Sequence, residues 1–335
     1  MADNQALLQA AANAAHKITT TVVNKRVQRM RQGQNPDRQP DGEPTHLAHY
    51  TTADGLHGII ENGNLWASGA YYLNDSSEID YGCQLFCEIL TKAIADEERD
   101  PVSKSIFEEA KKAFEPSGEM ESLIRRTYVA CFCERDNLLS QWRTYGQSGG
   151  YAIIFPLNEL RGAMTVTDHY HTELHRVIYD RQIQTLLFQL VMDDLISVLN
   201  DESVRQLWKS YGPAERHLFS LSFNTFLQTL ALNEIVRFKD PAFEEEREWR
   251  LAVRPMSRNR NDQELKHLKF RTARGMAVPY LELRPKTGAL LPITSVRYGP
   301  TLEKERAVNS LRLLLQQKGY SGVQFDGSEI PVIFP

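Results

Sequence analysis

Hydrophobic and polar residues alternate with a strand period at several places along the chain, and with a helical period between them. The first such stretch is HLAHYTTADGLHGIIENGNLWAS, residues 46–68, in which "LAHYT" alternates as a strand does. A short helix follows, with Thr52 as its cap and Gly63 where a left-handed residue commonly ends a helix. "LWAS" then predicts a second strand. The stretch therefore predicts a compact strand–helix–strand unit.

The same reading predicts short strands and longer helices along the rest of the chain. Apolar residues at helical spacing predict helices over about 103–125, 181–199 and 213–237. Strands are predicted at "TYVACFC", "GYAIIFP", "EREWRLAV", "HLKF" and "MAVPYLEL", and the end of the chain reads as strand, helix, strand. This mixture predicts an α+β fold, with one domain over 46–335 that carries a helical insertion at about 181–237.

Residues 1–45 differ in composition from the rest. Residues 5–31 read as a helix with a basic second half, and "RQGQNPDRQPDGEPTH" reads as a linker rich in Pro, Gly, Gln and Asp. This segment is either a solvated tail or a helix that docks on a partner or an anionic polymer. A regulatory partner, such as an antitoxin, is one candidate for that docking.

Composition narrows the class of protein. The net charge of −4 argues against general attraction to nucleic acids, and no apolar run reaches the roughly 18 residues of a membrane helix. We therefore expect a cytoplasmic protein without a membrane partner. The four cysteines are not spaced as zinc ligands, and the loosely spaced His169, His171 and His175 have only Asp168 or Glu173 as nearby carboxylates. No metal is predicted.

The stretch "EEEREWRLAV" is the first candidate for chemistry. In a strand over 246–253, Glu246, Glu248 and Arg250 would share one face, while Trp249 and Leu251 would share the other. The charged face is either an ordinary solvated edge or a cleft wall. In a cleft, one carboxylate would stabilise a developing positive charge.

The other candidates surround the strand–helix–strand unit. His49 and Thr51 share one face of the first strand and Tyr50 the other; beside a helix N-terminus, such a strand suits a phosphate or a ribose hydroxyl. A lone strand histidine is more often structural. In "YYLND", the rings are either turn packing or a flat surface for a planar ligand. Trp142, in "SQWRTYGQSGG", belongs either to the core or to a pocket wall. The candidates in these last two stretches are Tyr71, Tyr72, Asn74 and Trp142.

Several motifs, taken in order, resemble domain-of-unknown-function family 2971. They are "HYTTADGLHGIIENGNLWAS", "LNDSSE", "CFCERDNLLSQWRTYGQSGGYAIIF", "EREWR" and "GSEIP", spread over roughly 46–335. Each motif is modest by itself, and the resemblance rests on their order.

A more distant resemblance is to the ADP-ribosyltransferase superfamily, whose members use NAD through a His–Tyr–Glu constellation. These positions fall on His49, on Tyr72 or Tyr71, and on Glu248, while Glu246 and Glu248 resemble the Glu-x-Glu strand of the arginine-modifying branch. That branch's Ser-Thr-Ser element is not evident. The resemblance implies a split, mostly antiparallel sheet of ADP-ribosyltransferase type with inserted helices.

The chemistry implied by this resemblance uses the same residue types. Glu248 would stabilise the oxocarbenium-like centre that forms as nicotinamide leaves, and Glu246 would assist or position the acceptor. His49 would bind ribose hydroxyls, Tyr72 would stack on nicotinamide, and Arg250 would lie near a phosphate. Tyr50, Thr51, Tyr71, Asn74 and Trp142 complete the predicted NAD-binding set.

We therefore expect an NAD-dependent ADP-ribosyltransferase. By analogy with the superfamily it would be a bacterial toxin or antiphage effector acting on RNA, DNA or a protein. One alternative is an NAD glycohydrolase with water as acceptor. Another is a non-catalytic nucleotide-binding module, and a third is a nucleic-acid binder that uses the basic N-terminal helix.

Overall fold

The structure is a computed structural model that describes residues 42–73, 77–115, 118, 120–146, 150–256, 262–273, 275–300 and 304–331. The predicted N-terminal helix lies outside these residues. The chain divides into two compact units, a helical unit that includes Ser77–Ile124 and Ile178–Pro241 and a sheet unit formed by the segments around them. Each is described by itself.

The sheet unit begins with the predicted strand–helix–strand. Strand β1 (His46–Thr51) leads into helix α1 (Ala53–Asn62) and strand β2 (Leu65–Gly69). The Thr52 side chain accepts the backbone N–H of Gly55, and Gly63 ends the helix with φ of 61°. Leu56, Ile59 and Ile60 are buried beneath the helix. Local sequence rules therefore suffice for this unit.

The remaining strands complete an open, largely antiparallel sheet. They are β3 (Tyr128–Cys133), β4 (Tyr151–Pro156), β5 (Met164–Thr165), β6 (Tyr170–Arg176), β7 (Glu248–Pro255), β8 (Lys269–Ala273), β9 (Met276–Pro285), β10 (Ser295–Tyr298) and β11 (Gln324–Gly327). The order is β11-β10-β4-β1-β3-β2-β9-β5; β7 pairs with β3 and β6, and β8 with β9. Among these pairs, only β10–β11 is parallel.

Helices of the sheet unit connect and cover these strands. Besides α1, they are α5 (Leu139–Tyr145), α6 (Leu157–Leu160), α10 (Asp262–His267) and α11 (Lys304–Gln317). Side chains from α1 and α11, such as Ile60 and Leu315, pack with Phe132 and Trp249 in the main core. We call this side of the sheet the core face. The other side, the reverse face, carries a smaller cluster that includes Ala48, Tyr50, Cys133 and Trp142.

The helical unit contains α2 (Ser77–Ala95), α3 (Pro101–Phe114), α4 (Met120–Ile124), α7 (Arg181–Leu199), α8 (Glu202–Ser210) and α9 (Pro213–Ile235). Phe188 contacts Phe86 and Phe238 at its centre, with ring centroids 4.8 and 5.0 Å apart. A buried ion pair joins Lys239 Nζ to Glu78 Oε1 at 2.8 Å. The predicted helix over 103–125 is in fact two helices, α3 and α4.

Helix α7 is long and apolar enough to cross a membrane by length and composition, with a mean hydropathy of 1.2. Half of its most apolar window is buried within the protein, and Phe188, on this helix, contacts other aromatic rings of the helical unit. A core helix passes the same test, so the finding is weak evidence for a membrane span.

The mixed architecture with a largely antiparallel sheet confirms the predicted α+β class. The finer prediction, a sheet of ADP-ribosyltransferase type, stays a prediction.

Candidate functional site

Two different strands share one edge of β3, and the sheet separates between them. The whole of β3 pairs with β7 on one side, from Tyr128↔Val253 to Cys133↔Glu248. On the other side β3 pairs with two strands: with β1 at Ala48↔Cys133 and with β2 at Ser68↔Val129. Strands β1 and β2 therefore separate along a common edge, and a gap opens between them beside residues 130–132.

His49 stands where β1 leaves β3. Its Nδ1 lies 2.8 Å from the carbonyl oxygen of Cys131. Because a carbonyl can only accept, Nδ1 carries the proton and Nε2 keeps its lone pair when the ring is neutral. Burial disfavours the charged ring and lowers the pKa of His49. The hydrogen bond to the Cys131 carbonyl raises the pKa, but by less. The neutral ring thus presents one acceptor, Nε2, for which we find no hydrogen-bond partner among the described residues.

Tyr50 points to the reverse face and anchors the loop after β3. Its hydroxyl donates to the Arg135 carbonyl at 2.8 Å and accepts the Leu138 N–H at 2.9 Å. Burial raises the pKa of Tyr50 far above its usual range. Thr51 lies against the start of α1, where a Cβ added to Gly55 would fall 2.0 Å from the Thr51 hydroxyl. Both side chains thus have structural roles in this unit.

The two predicted tyrosines lie in a 3-10 turn, Ala70–Tyr72, directly after β2. A Cβ on Gly69 would meet the Tyr72 ring at 2.9 Å. Gly69 is opposite Tyr128, which is on the core face, so that Cβ would point to the core face. The Tyr72 ring therefore covers the core face. The Arg125 guanidinium lies 4.6 Å from the centroid of the Tyr71 ring. Asn74 lies outside the described residues.

Glu248 and Arg250 form a buried pair on β7. Arg250 donates from Nε and Nη2 to the two Glu248 carboxylate oxygens, at 2.8 and 3.0 Å. Arg250 is 1% exposed and Glu248 6%. The predicted strand over 246–253 begins two residues later than expected, because Arg247 has φ of 43° and Glu246 ends a 3-10 turn. Glu246 therefore does not continue the alternation of Glu248 and Arg250.

The register decides which predicted residues meet. Residues directly opposite in antiparallel strands point to one face, and alternate residues point to opposite faces. Because Ala48, Cys133 and Glu248 are paired in a row, Glu248 shares the reverse face with Tyr50. His49 lies on the core face, where its ring is 5.6 Å from that of Phe132. His49 and Tyr72 thus share one face, and Glu248 and Arg250 the other.

Trp142, on α5, lies in the reverse-face cluster and is fully buried. Its indole N–H donates to Asn137 Oδ1 at 2.9 Å, and Tyr50 packs edge-on against it at 4.8 Å. Glycines 146 and 299 pack so closely that an added Cβ would meet the indole at 2.6 and 3.0 Å. These contacts make Trp142 a core residue in this structure.

Glu134, a carboxylate that the sequence pattern did not single out, follows β3 directly and contacts residues of the core face. Its partners Trp249 and Arg176 are opposite each other on β7 and β6, and Trp249 belongs to the main core. Trp249 Nε1 donates to Glu134 Oε1 at 2.8 Å, and Arg176 Nε lies 2.7 Å from the same oxygen. The available signal was the carboxylate that ends the quoted "CFCE" motif, directly after a buried strand.

Candidate metal ligands do not assemble in the described part of the chain, where no group of three or more His, Cys, Asp or Glu residues could hold an ion. Glu173 lies between two histidines of β6, with its Oε2 3.3 Å from His171 Nε2 and 3.4 Å from His175 Nε2. The hydrogen bond with His171 and the nearby ring of His175 lower the pKa of Glu173. The four cysteines are free thiols, and burial raises the pKa of Cys83 and Cys133 to about 12.

Comparison with known families gives one match. Residues 141–251 match the model of the family described as "Protein of unknown function (DUF2971)". This segment contains Trp142, Glu248 and Arg250 but not His49, and over it the predicted resemblance to that family is confirmed. Neither the curated proteins nor the solved structures gave a match. The resemblance to ADP-ribosyltransferases stays a prediction.

Proposed function

We propose that the chain is an NAD-dependent ADP-ribosyltransferase whose nucleotide lies in the gap between β1 and β2. The observation that carries the proposal is the state of His49. Its Nδ1–H is fixed on the Cys131 carbonyl, and its Nε2 is an acceptor at the strand separation. A hydroxyl donor, such as a ribose hydroxyl, is what that nitrogen would bind.

Tyr72 supports the same proposal from the other side of the gap. Its ring lies on the same face as His49, at the end of β2. An aromatic ring there can stack on a planar group such as nicotinamide. The two positions that the resemblance assigns to ribose and nicotinamide thus lie on one face of the two strands that separate.

The reaction also needs a carboxylate for the positive charge that develops on the ribose. The resemblance assigns Glu248, which lies on the reverse face and is hydrogen-bonded through both oxygens to Arg250. Glu134 lies on the face of His49 and is 10% exposed. We therefore favour Glu134 for this role, with Glu248 supporting the strand through Arg250.

A specific observation favours a second candidate, a nucleotide-binding module without turnover. Both carboxylates are already engaged, Glu248 by Arg250 and Glu134 by Arg176 and Trp249. A carboxylate held in this way must lose a bond before it can contact a ribose. The module would bind NAD through His49 and release no nicotinamide.

The test is to incubate the protein with NAD labelled in its ADP-ribose part, with and without cell lysate. Free nicotinamide and labelled macromolecules are measured for the wild type, His49→Ala, Glu134→Gln and Glu248→Gln. We expect release and labelling by the wild type, with losses of about 10²–10³ on Glu134→Gln, as for other electrostatic stabilisers. His57→Ala, on the exposed side of α1, is the matched histidine control.

Each outcome separates the candidates. Nicotinamide without labelled macromolecule supports glycohydrolase activity. NAD binding that His49→Ala weakens, without release, supports the binding module. If Glu248→Gln is folded and is the only carboxylate variant that loses nicotinamide release, the catalytic carboxylate is Glu248. Neither binding nor release by the wild type, with lysate present, overturns the proposal.

A further inference from the structure

An aromatic pair lies on the reverse face of β2 and β9, on the side opposite to His49. The Trp66 ring stacks on the Tyr280 ring, with centroids 4.5 Å apart and planes at 28°. Leu65 and Ala67 belong to the main core, so Trp66 between them points to the reverse face. Tyr280 is 8% exposed, whereas Trp66 is 37% exposed. The pair therefore presents an indole that is supported on one side and open to solvent elsewhere.

Basic side chains lie beside this pair on the same face. Glu282 is directly opposite the indole in the strand register, and its two oxygens bind Lys269 Nζ at 2.7 Å and Arg284 Nη2 at 3.1 Å. The side chains of Lys269 and Arg284 are 51% and 53% exposed. Arg271, two residues beyond Lys269 on β8, donates to Ser68 Oγ at 3.3 Å. One carboxylate thus holds two exposed cations in place, and positive charge exceeds negative charge among these four charged groups.

A flat ring beside ordered cations matches the chemistry of a single-stranded nucleic acid. An unpaired base can stack on the indole, and basic side chains attract the phosphates on either side of it. In a duplex the neighbouring bases cover each base face, so only the backbone contacts would remain. An anionic lipid surface supplies the negative charge but no planar group for the indole. The whole chain has a net charge of −4, so any attraction for phosphates must be local.

We propose that the Trp66 patch, which consists of Trp66, Tyr280, Lys269, Arg271 and Arg284, binds single-stranded nucleic acid. One base stacks on Trp66, and the adjacent phosphates contact Lys269 and Arg284. A lysine ammonium has three donors, so Lys269 can hold its carboxylate partner and a phosphate at the same time. The proposal goes beyond the proposed reaction and does not depend on turnover in the gap between β1 and β2.

The test is fluorescence anisotropy with the full chain and short labelled strands of one sequence, as RNA, as DNA and as a DNA duplex. We expect a single strand to bind at least about tenfold more tightly than the duplex, and Trp66→Leu to weaken that binding about tenfold, the size of one base stacked on an aromatic ring. Lys269→Gln should weaken binding of every strand. It should also lower the slope of log affinity against log salt by about 0.7, as expected for one phosphate contact on a single strand.

Two variants serve as matched controls. Phe270→Leu removes an aromatic ring that is 60% exposed on β8 but alternates with Lys269 and so points to the other face. Lys111→Gln removes a lysine that is paired with Glu115 at 3.3 Å in the helical unit. Both should bind as the wild type does. Circular dichroism checks that all variants are folded, and the exposed Lys269→Gln change keeps the test decisive if Trp66→Leu is not.

Equal binding of duplex and single strands, or no binding of any strand at micromolar protein, would overturn the inference. Full-strength binding by both Trp66→Leu and Lys269→Gln would place the nucleic acid elsewhere on the chain and would overturn it too. Binding to phosphatidylserine vesicles in place of the strands would assign the patch to a membrane instead. A preference between the RNA and DNA strands would support the inference and identify the strand. Strand binding without nicotinamide release would leave this inference standing while the transferase proposal fails.

Discussion

The buried pair of Glu248 and Arg250 gives the sharpest prediction about stability. Replacing Arg250 by Met removes the guanidinium and leaves a carboxylate that is 6% exposed without the two hydrogen bonds at 2.8 and 3.0 Å. Loss of one partner of a buried ion pair costs about 3–5 kcal/mol. We therefore expect Arg250→Met to lower the free energy of unfolding by about that amount.

The matched control is an exposed pair in the same unit. Arg161 binds both oxygens of Glu43 at 3.0 and 2.8 Å, but their side chains are 49% and 61% exposed. An exposed ion pair contributes about 0–1 kcal/mol, so Arg161→Met should change stability by no more than that. The two substitutions share their chemistry and differ in burial.

Urea unfolding followed by tryptophan fluorescence is the suitable assay. Three of the four tryptophans, Trp66, Trp142 and Trp249, lie in the sheet unit, so the signal reports mainly on that unit. The double variant Glu248→Leu with Arg250→Met completes the cycle and should cost less than Arg250→Met alone. A loss below about 1 kcal/mol for Arg250→Met would refute the structural role assigned to the pair.

Three further predictions concern packing, capping and pH. Gly146→Ala should lower the free energy of unfolding in urea by about 1–3 kcal/mol, because its Cβ would clash with Trp142. Gly58→Ala is the control: it lies on α1 with open space around it, and it should raise the free energy of unfolding by about 0.5–1 kcal/mol. Thr52→Ala should cost about 1 kcal/mol, and an unchanged midpoint would exclude the cap. Folding lowers the pKa of His49, so as the pH falls the imidazole is protonated in the unfolded chain before it is protonated in the folded protein. The free energy of unfolding should therefore decrease below the pKa of an unfolded histidine, about 6.5. Unfolding free energies measured between pH 8 and 5 should show a weaker dependence for His49→Gln, and an identical dependence would contradict the burial effect.

Local sequence rules predicted the elements whose causes are local. The cap at Thr52, the left-handed Gly63 and the apolar side of α1 lie within a dozen residues, and all are as predicted. The predicted start of β7 at residue 246 was wrong, because Arg247 adopts a left-handed conformation that the alternation of a strand does not reveal.

The site depends on pairings between distant strands, which the sequence pattern does not contain. Alternation correctly placed Glu248 and Arg250 together on one side of β7. It could not relate that side to the side of His49, because the relation passes through β3 and the single pair Ala48↔Cys133. Glu134 lies beyond the end of β3, and the hydrogen bond that it accepts from the core-face residue Trp249 shows that its carboxylate is on the face of His49.

Nicotinamide release from NAD, compared between the wild type and His49→Ala in the presence of lysate, tests the central claim most directly. We predict release by the wild type, at least a tenfold loss in His49→Ala, and no loss in His57→Ala. A wild type that releases no nicotinamide, or a His49→Ala variant that releases it at the full rate, would contradict the assignment of the strand gap as an NAD site.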